Sequence, residues 1–168
     1  MNRIAIVGSP GSGKTTLADR LGSRIGMPVI HLDNHFWHPG WVETPAEEWV
    51  PRQIELLARP SWIVDGTYFQ TLDVRFERAD TIVYFDISRW RCLFRAILRS
   101  VTHFGKDVQA DGCPEHFDPT FIKFIYHFPR DVKPKIDEAI ARHAATVAVI
   151  KIESTEDAAR FLESVRSS

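Results

Sequence analysis

The chain has only two cysteines in 168 residues, Cys92 and Cys113. That is too few for a disulfide framework and the wrong spacing for a zinc motif, so free thiols in a reducing compartment are expected. It also lacks an apolar run near the ~20 residues that a membrane-crossing helix needs. Charge of one sign is missing too: 21 Lys and Arg stand against 22 Asp and Glu, a net charge of −1. Without a basic excess there is no overall pull toward nucleic acid or anionic membrane, and any basic site has to be local. Internal repeats and low-complexity segments are absent. The first residues already read as a core strand, which leaves no room for a signal peptide, and a soluble, cytoplasmic protein is expected. What remains is an ordinary globular composition, 44% hydrophobic, in a length that suits one domain spanning 1–168.

One stretch departs from this plainness. Gly8-Ser9-Pro10-Gly11-Ser12-Gly13-Lys14-Thr15 matches the phosphate-binding pattern of a glycine, four residues and then Gly-Lys-Thr. Its glycines permit backbone angles and close approaches that a Cβ would block, so successive amide N–H groups can wrap a phosphate chain. Lys14 can then reach the β- and γ-phosphates and Thr15 can offer its hydroxyl to Mg²⁺. A helix that starts here, with Thr16 in its first turn, points its positive end at the anion. The flanks agree with the motif. Arg3-Ile4-Ala5-Ile6-Val7 reads as a short buried strand, and Leu17, Leu21 and Ile25 recur at four-residue spacing on one helix face.

Further along, 28–33 reads as a second strand with Asp33 at its carboxyl end, and the aromatic, Pro-Gly-punctuated 34–41 as a loop. Thr44-Pro45 with Glu47 and Glu48 has the signs of a helix start, threonine as cap and proline in the first helical position. That helix would carry Trp49, Ile54 and Leu57 and stop before Pro60. Residues 61–66 and 81–86 are expected as the third and fourth strands, each closing on a carboxylate, with two helical turns over 72–79 between them. Ser88 can cap a helix from Arg89 to about Val101. Residues 103–119 contain Gly, Pro and charge without periodicity, and a loop this long in a compact domain is usually a lid or binding loop. Helices over 119–128 and 133–143, a fifth strand over 146–152 and a helix over 155–165 complete the chain. Strands alternating with helices predict an α/β fold, a five-stranded parallel sheet covered by helices on both faces. Ligands bind such sheets beyond the carboxyl ends of the strands, where the phosphate loop, Asp33, Asp65 and Asp86 all fall. Residues 35–60 then form a small acceptor-binding helical segment and 103–130 the lid region.

Phosphoryl transfer needs a phosphate cradle, a metal ion, a group that positions the acceptor, and positive charge for the transition state. Asp65, after Trp62-Ile63-Val64, has the form of the second acidic motif of such proteins and can serve Mg²⁺; a cap in the Asp-Gly turn is the plainer role. Asp33 can orient or deprotonate an acceptor hydroxyl or bind the metal, or it can be a solvated carboxylate. The irregular spacing of His31, His35 and His38 across a strand-to-loop junction, and the preference of Mg²⁺ for oxygen, favour loop and core histidines over a metal cluster. Trp37, Trp41 and Trp49 can stack on a base, shape an acceptor pocket or pack a small subdomain. Arg91, Arg95 and Arg99 recur every four residues with Arg89 near the helix start. Such a row can be solvated or follow a nucleic-acid backbone, but on this sheet edge guanidinium forks suit nucleotide phosphates, and Arg95 and Arg99 are the favoured contacts. Arg130, Lys133 and Lys135 are further candidates for charge delivered on lid closure.

These motifs resemble the adenylate-kinase-like branch of the P-loop small-molecule kinases and, more narrowly, the topology modulation (FlaR-like) proteins. The narrower likeness runs through the loop 8–15, His31-Leu32-Asp33 with Phe36-Trp37, Pro39-Gly40-Trp41, Trp62-Ile63-Val64-Asp65-Gly66, Asp86 with Arg89-Trp90, Gly112-Cys113-Pro114-Glu115 and Phe128-Pro129-Arg130. It implies a P-loop NTPase fold, ATP with magnesium, and a mobile lid. In adenylate kinases two arginines on the helix after the fourth strand contact ATP, and counting from Asp86 the matching positions are Arg95 and Arg99. Adenylate kinases also follow their Asp-Gly with Phe-Pro-Arg, whose arginine holds the nucleoside monophosphate. Here the sequence is Asp65-Gly66-Thr67-Tyr68-Phe69, so that clamp is missing, and Arg75 is a candidate substitute.

The leading expectation is a kinase in which the loop residues 8–16, Lys14 among them, hold ATP, Thr15 and Asp65 serve magnesium, Asp33 positions a small acceptor, and Arg95 and Arg99 supply charge. The rival is a nucleotide-regulated DNA or protein binder whose arginine row is the contact surface, although the net charge gives it no support. A slow ATPase switch without an acceptor is a third form. Monomer and homodimer are equally compatible with the sequence.

Overall fold

The computed structural model describes residues 1–107 and 110–165. The chain opens with β1 (Arg3–Gly8), α1 (Lys14–Ile25), β2 (Val29–His31) and the single-turn α2 (Asp33–Phe36). A small hairpin, β3 (Trp37–His38) and β4 (Val42–Glu43), leads into α3 (Ala46–Leu56), and β5 (Trp62–Asp65) returns to the sheet. A 3₁₀ turn (Phe69–Thr71) and α4 (Leu72–Phe76) precede β6 (Thr81–Phe85) and the long α5 (Arg89–Thr102). After α6 (Pro119–Asp131) and α7 (Lys133–His143) come β7 (Ala148–Ile152) and α8 (Thr155–Ser164).

The main sheet has the order β2-β5-β1-β6-β7, every neighbouring pair parallel. Its central strand explains why both faces carry helices. Ile4 and Ile6 alternate with Ala5 and Val7 along β1, and all four are fully buried. Ala5 and Val7 join Val64, Ile82 and Tyr84 in a core with Trp49, Phe76, Phe128 and Ile136 from α3, α4, α6 and α7. Ile4 and Ile6 join Ile63, Val83 and Phe85 in a second core with Leu17, Leu21, Leu93 and Phe161 from α1, α5 and α8. Successive strands leave β1 to opposite sides, β5 to one and β6 to the other, so a crevice opens beyond its carboxyl end.

Several expected boundaries move. The second strand stops at His31: the Leu32 N–H makes the last rung of the β2–β5 ladder, to the Asp65 carbonyl at 2.9 Å, and the Leu32 carbonyl then accepts from His35 and Phe36, starting α2. Asp33 therefore begins a helical turn instead of ending a strand. The expected loop 34–41 holds that turn and the first half of the β3–β4 hairpin. Thr44 is no helix cap: its hydroxyl donates to the Phe36 carbonyl at 2.7 Å, Pro45 takes the cap position, and α3 starts at Ala46. On α3 the buried residues are Trp49 and Gln53, and Ile54 faces outward. α4 starts at Leu72 as expected but stops at Phe76, short of 79, and the 3₁₀ turn precedes it, while α6 continues past Phe128 through Pro129 to Asp131. Both cysteines are free and buried. Among the described residues, no helix is long and apolar enough to cross a membrane.

Gly22 on α1 shows how closely the layers meet. A Cβ there would lie 2.4 Å from Val29 Cγ2 and 3.0 Å from the Met27 carbonyl oxygen. Alanine gains about 1 kcal/mol of helix propensity, but overpacking costs roughly 1–3 kcal/mol, so the clash dominates. Gly22→Ala is expected to lower the urea midpoint, and the double variant with Val29→Ala should be less destabilised than the sum of the two single variants. A midpoint at or above that of the parent protein would contradict this packing.

Candidate active site

The loop between β1 and α1 lies against α5. A Cβ on Gly11, at φ 76°, would sit 2.5 Å from the Cys92 carbonyl oxygen, so only glycine lets the loop pass here. Gly13, at φ 104°, is the N-cap of α1 and has no side chain to satisfy the first N–H groups, which leaves them for an anion. Lys14 folds back, its Nζ donating to the Ser9 carbonyl at 3.0 Å. Arg95 reaches the same loop from α5, donating to the Ser12 carbonyl at 3.1 Å. Thr67 ties the far side down, accepting from Gly8 N–H at 3.1 Å and donating to the Gly8 carbonyl.

Asp65 ends β5 directly beneath. It is 5% exposed, and its Oδ2 accepts from the Thr15 hydroxyl at 2.6 Å, with His31 Nδ1 at 3.4 Å. Its other oxygen is buried without a hydrogen-bond partner. A buried carboxylate oxygen left unpaired beside a threonine hydroxyl at the mouth of a phosphate loop is the donor set that a hard, oxygen-seeking cation takes, so these residues fit Mg²⁺. His31 is raised above the ordinary histidine range, chiefly by its hydrogen bond to Asp65 and against the effect of burial, with Asp19 at 3.0 Å from Nε2 adding to it.

These groups open on a cavity of about 840 Å³ beyond the strand ends. Pro10, Gly11, Gly13, Lys14, Thr15 and Thr16 form one end of it, while Gly8, Ser9 and Ser12 lie behind the wall. Arg95 and Arg99 line it from α5, and Arg99 Nε pairs with Glu115 at 2.9 Å. Asp33 lines it from α2, where Tyr68 Oη donates to its Oδ1 at 2.5 Å. Burial raises the Asp33 carboxyl above the usual range; nearby Asp65 pushes the same way, and the Tyr68 hydrogen bond, Lys14 and Arg99 only partly offset them. Tyr68 is in turn pushed far up by burial and by the Asp33 carboxylate. Tyr68 has φ 30°, an uncommon value for a bulky residue, and Trp41 has φ 62°.

Trp37, Trp41 and Phe36 form the cavity's aromatic wall, with Phe36 4.9 Å from Trp37 and Trp37 5.4 Å from Trp41, all edge-on. Trp49 is buried behind them, 5.0 Å from Phe36, as core. Part of the segment expected as a lid, 103–130, rests on this wall. Gly40 N–H donates to the Gly112 carbonyl at 2.8 Å, Trp41 Nε1 to the Pro114 carbonyl at 3.1 Å, and Cys113 Sγ to the His38 carbonyl at 3.2 Å. Residues 108–109 of that segment lie outside the described residues.

Other candidates fall elsewhere. Arg75 is fully buried, its guanidinium spent on Gln53 Oε1 at 2.7 Å, the Thr67 carbonyl and Thr71, and burial lowers it to about 10. It cannot replace an acceptor clamp from there. Asp86 is held by Lys133 at 2.5 Å and Lys151 at 2.9 Å, outside the cavity wall. Arg130 pairs with its neighbour Asp131, and Lys135 stands over the Phe69 ring. Arg91 is exposed, and Arg89 lies on Trp90 and Tyr126, so the arginines do not share one face. Four-residue spacing overshoots the 3.6-residue turn and drifts around a helix. Gln53 carries no signal in the sequence, and Thr67, Tyr68 and Glu115 stand there within longer motifs with no role of their own.

No protein-family model matches the chain, and no curated protein matches it. Its fold is shared with solved kinase structures. A shikimate kinase from Acinetobacter baumannii, solved in complex with shikimate, superposes with a TM-score of 0.62 at 17% identity over 97% of this chain and 89% of that one. A gluconokinase from Sinorhizobium meliloti 1021 gives 0.55 at 16% identity over 96% and 94%. At such identities the likeness is one of backbone architecture.

The raised carboxyl has a stability consequence. An acid whose folded-state pKa exceeds its unfolded value loses stability as pH rises from the unfolded pKa through the folded one. Asp33→Asn keeps an oxygen for the Tyr68 hydroxyl and removes that loss. The variant is therefore expected to unfold at a higher temperature than the parent protein at pH 8, with the gain shrinking toward pH 4, in scanning calorimetry of the ligand-free proteins. Equal gains at both pH values would refute a raised Asp33.

Proposed function

We propose that this chain is a P-loop kinase that moves the γ-phosphoryl group of ATP onto a hydroxyl of a small molecule. The observation that carries the reading is that the phosphate loop with Lys14, the Thr15–Asp65 pair and the Asp33 carboxyl all open on one cavity large enough for a nucleotide and a second molecule. The kinase neighbours, shikimate kinase and gluconokinase, share its backbone. The motif likeness to topology modulation proteins gives the narrower family we favour. The DNA-binding alternative is weaker, because Arg95 and Arg99 turn into the cavity instead of forming a surface row.

In this reading the loop amides and Lys14 bind the β- and γ-phosphates, Lys14 leaving the Ser9 carbonyl for the phosphate oxygens. Arg95 and Arg99 neutralise charge that builds on the transferred group. Thr15 and Asp65 hold Mg²⁺, which supplies charge neutralisation for the phosphates. The acceptor oxygen forms the new bond to phosphorus as the bond to the β–γ bridging oxygen breaks. ADP leaves with that electron pair, and the hydroxyl proton passes to Asp33. A carboxyl raised by burial is a better base for this step than a solvated one.

Two substitutions separate binding from chemistry. Lys14→Ala is expected to weaken binding of ATP, measured calorimetrically with magnesium present, by about tenfold or more. Asp33→Asn should leave that affinity within about threefold and reduce turnover by about 100-fold. Unchanged ATP affinity in the first variant together with full turnover in the second would overturn these roles.

A further inference from the structure

The two sides of α5 are built differently. Its inner side is spent on the fold, with Cys92, Leu93 and Ala96 buried in one of the two cores. Its outer side carries Trp90, Phe94, Ile97, Leu98 and Val101, each between 40% and 69% exposed. At 3.6 residues per turn these five fall within about 100° of arc, a continuous apolar stripe along the helix. Tyr126 on α6 extends it, its ring centroid 5.9 Å from that of Trp90. At these exposures the six side chains present about 700 Å² to solvent, more than the roughly 300–600 Å² of the largest patch on a typical monomer. It is close to the ~800 Å² that each partner buries in a stable interface.

The arginines of this helix are answered within the chain. Arg89 lies on the Trp90 and Tyr126 rings, and Arg91 interacts electrostatically with Glu156 at the start of α8. Arg95 donates to the Ser12 carbonyl and Arg99 pairs with Glu115. An anionic membrane or an acidic partner is drawn by free basic groups beside an apolar face, and these four are already engaged. What the stripe matches is itself. Its bulky aromatics, Trp90 and Phe94, stand toward the amino end of α5 and its smaller aliphatics, Ile97, Leu98 and Val101, toward the carboxyl end. Around a two-fold axis through the middle of the stripe, an antiparallel pair sets Trp90 against Val101 of the second copy and Phe94 against its Ile97 and Leu98. Large meets small, and every contact is made twice. We propose that the outer face of α5 is the two-fold interface of a homodimer, covered by the same face of a second copy of this chain laid antiparallel to it.

The test is the mass of the full chain in solution, read by sedimentation velocity from low micromolar to several hundred micromolar concentration. The parent protein should reach twice the chain mass within that range. Phe94→Glu and Leu98→Arg should each weaken dimerisation at least about tenfold. Both positions are exposed, so circular dichroism and the urea midpoint should show an intact fold. Ile54→Glu, at an exposed apolar position on α3, should leave the dimer unchanged. The antiparallel register is read by charge exchange. Trp90→Glu and Val101→Lys should each weaken the dimer, and the two combined in one chain should associate at least about tenfold more tightly than either alone, because each glutamate then meets a lysine of the other copy. A monomer across the whole range overturns the inference, including one that binds vesicles of phosphatidylcholine and phosphatidylserine, which would assign the face to a membrane. So does a dimer that Ile54→Glu disrupts, or one that Phe94→Glu and Leu98→Arg leave intact. A double variant no tighter than the single ones overturns the antiparallel pairing.

Discussion

The arrangement turns on one buried carboxylate. Asp65 sits at the end of β5 with 5% of its surface exposed, and a charged group so placed is tolerable only where other groups satisfy it. Thr15 from α1 and His31 from β2 answer to one of its oxygens, so the start of the first helix and the ends of two strands are locked to a single atom. The next residues extend the lock: Thr67 grips Gly8 on both its N–H and its carbonyl, and Tyr68 grips Asp33. Sheet, glycine loop and the 33–36 turn are thus tied together through Asp65, Thr67 and Tyr68.

Much of this architecture is legible in the residues. β1 is visible because Ile4, Ala5, Ile6 and Val7 are apolar on both faces, as a strand covered on two sides has to be. The phosphate loop is visible because glycine is the residue that fits beside Cys92. Less legible are features decided by distant partners. Leu32 makes the last rung of the ladder with Asp65 and then turns helical, its carbonyl accepting from His35 and Phe36, and nothing local to 28–33 announces that turn. Thr44 has every local qualification for a cap, yet its hydroxyl is taken by the Phe36 carbonyl eight residues back. Arg75 reads as a candidate substitute for the missing clamp, but it is fully buried against Gln53, itself fully buried on α3. Spacing alone does not tell Arg95 and Arg99 from Arg91; the packing of α5 against the loop puts the first two in the cavity wall and leaves Arg91 exposed.

The site's energetics are divided between its two ends. At the loop end positive side chains rest on neutral carbonyl oxygens, weaker partners than an anion. At the aromatic end a carboxyl is held above its ordinary pKa by burial, a standing cost that the fold tolerates. Strain follows the same division, with the left-handed Trp41 and Tyr68 both in the cavity wall.

The thiol of Cys113 has a use that its burial conceals. It is fully covered where the 103–118 stretch meets the hairpin, its hydrogen directed at the His38 carbonyl. Any excursion that lifts this stretch from β3 bares a nucleophile, and closure hides it again. An alkylating reagent reaches that sulfur only when the residues around Cys113 separate from β3, so its rate of reaction reports how firmly the two segments hold together.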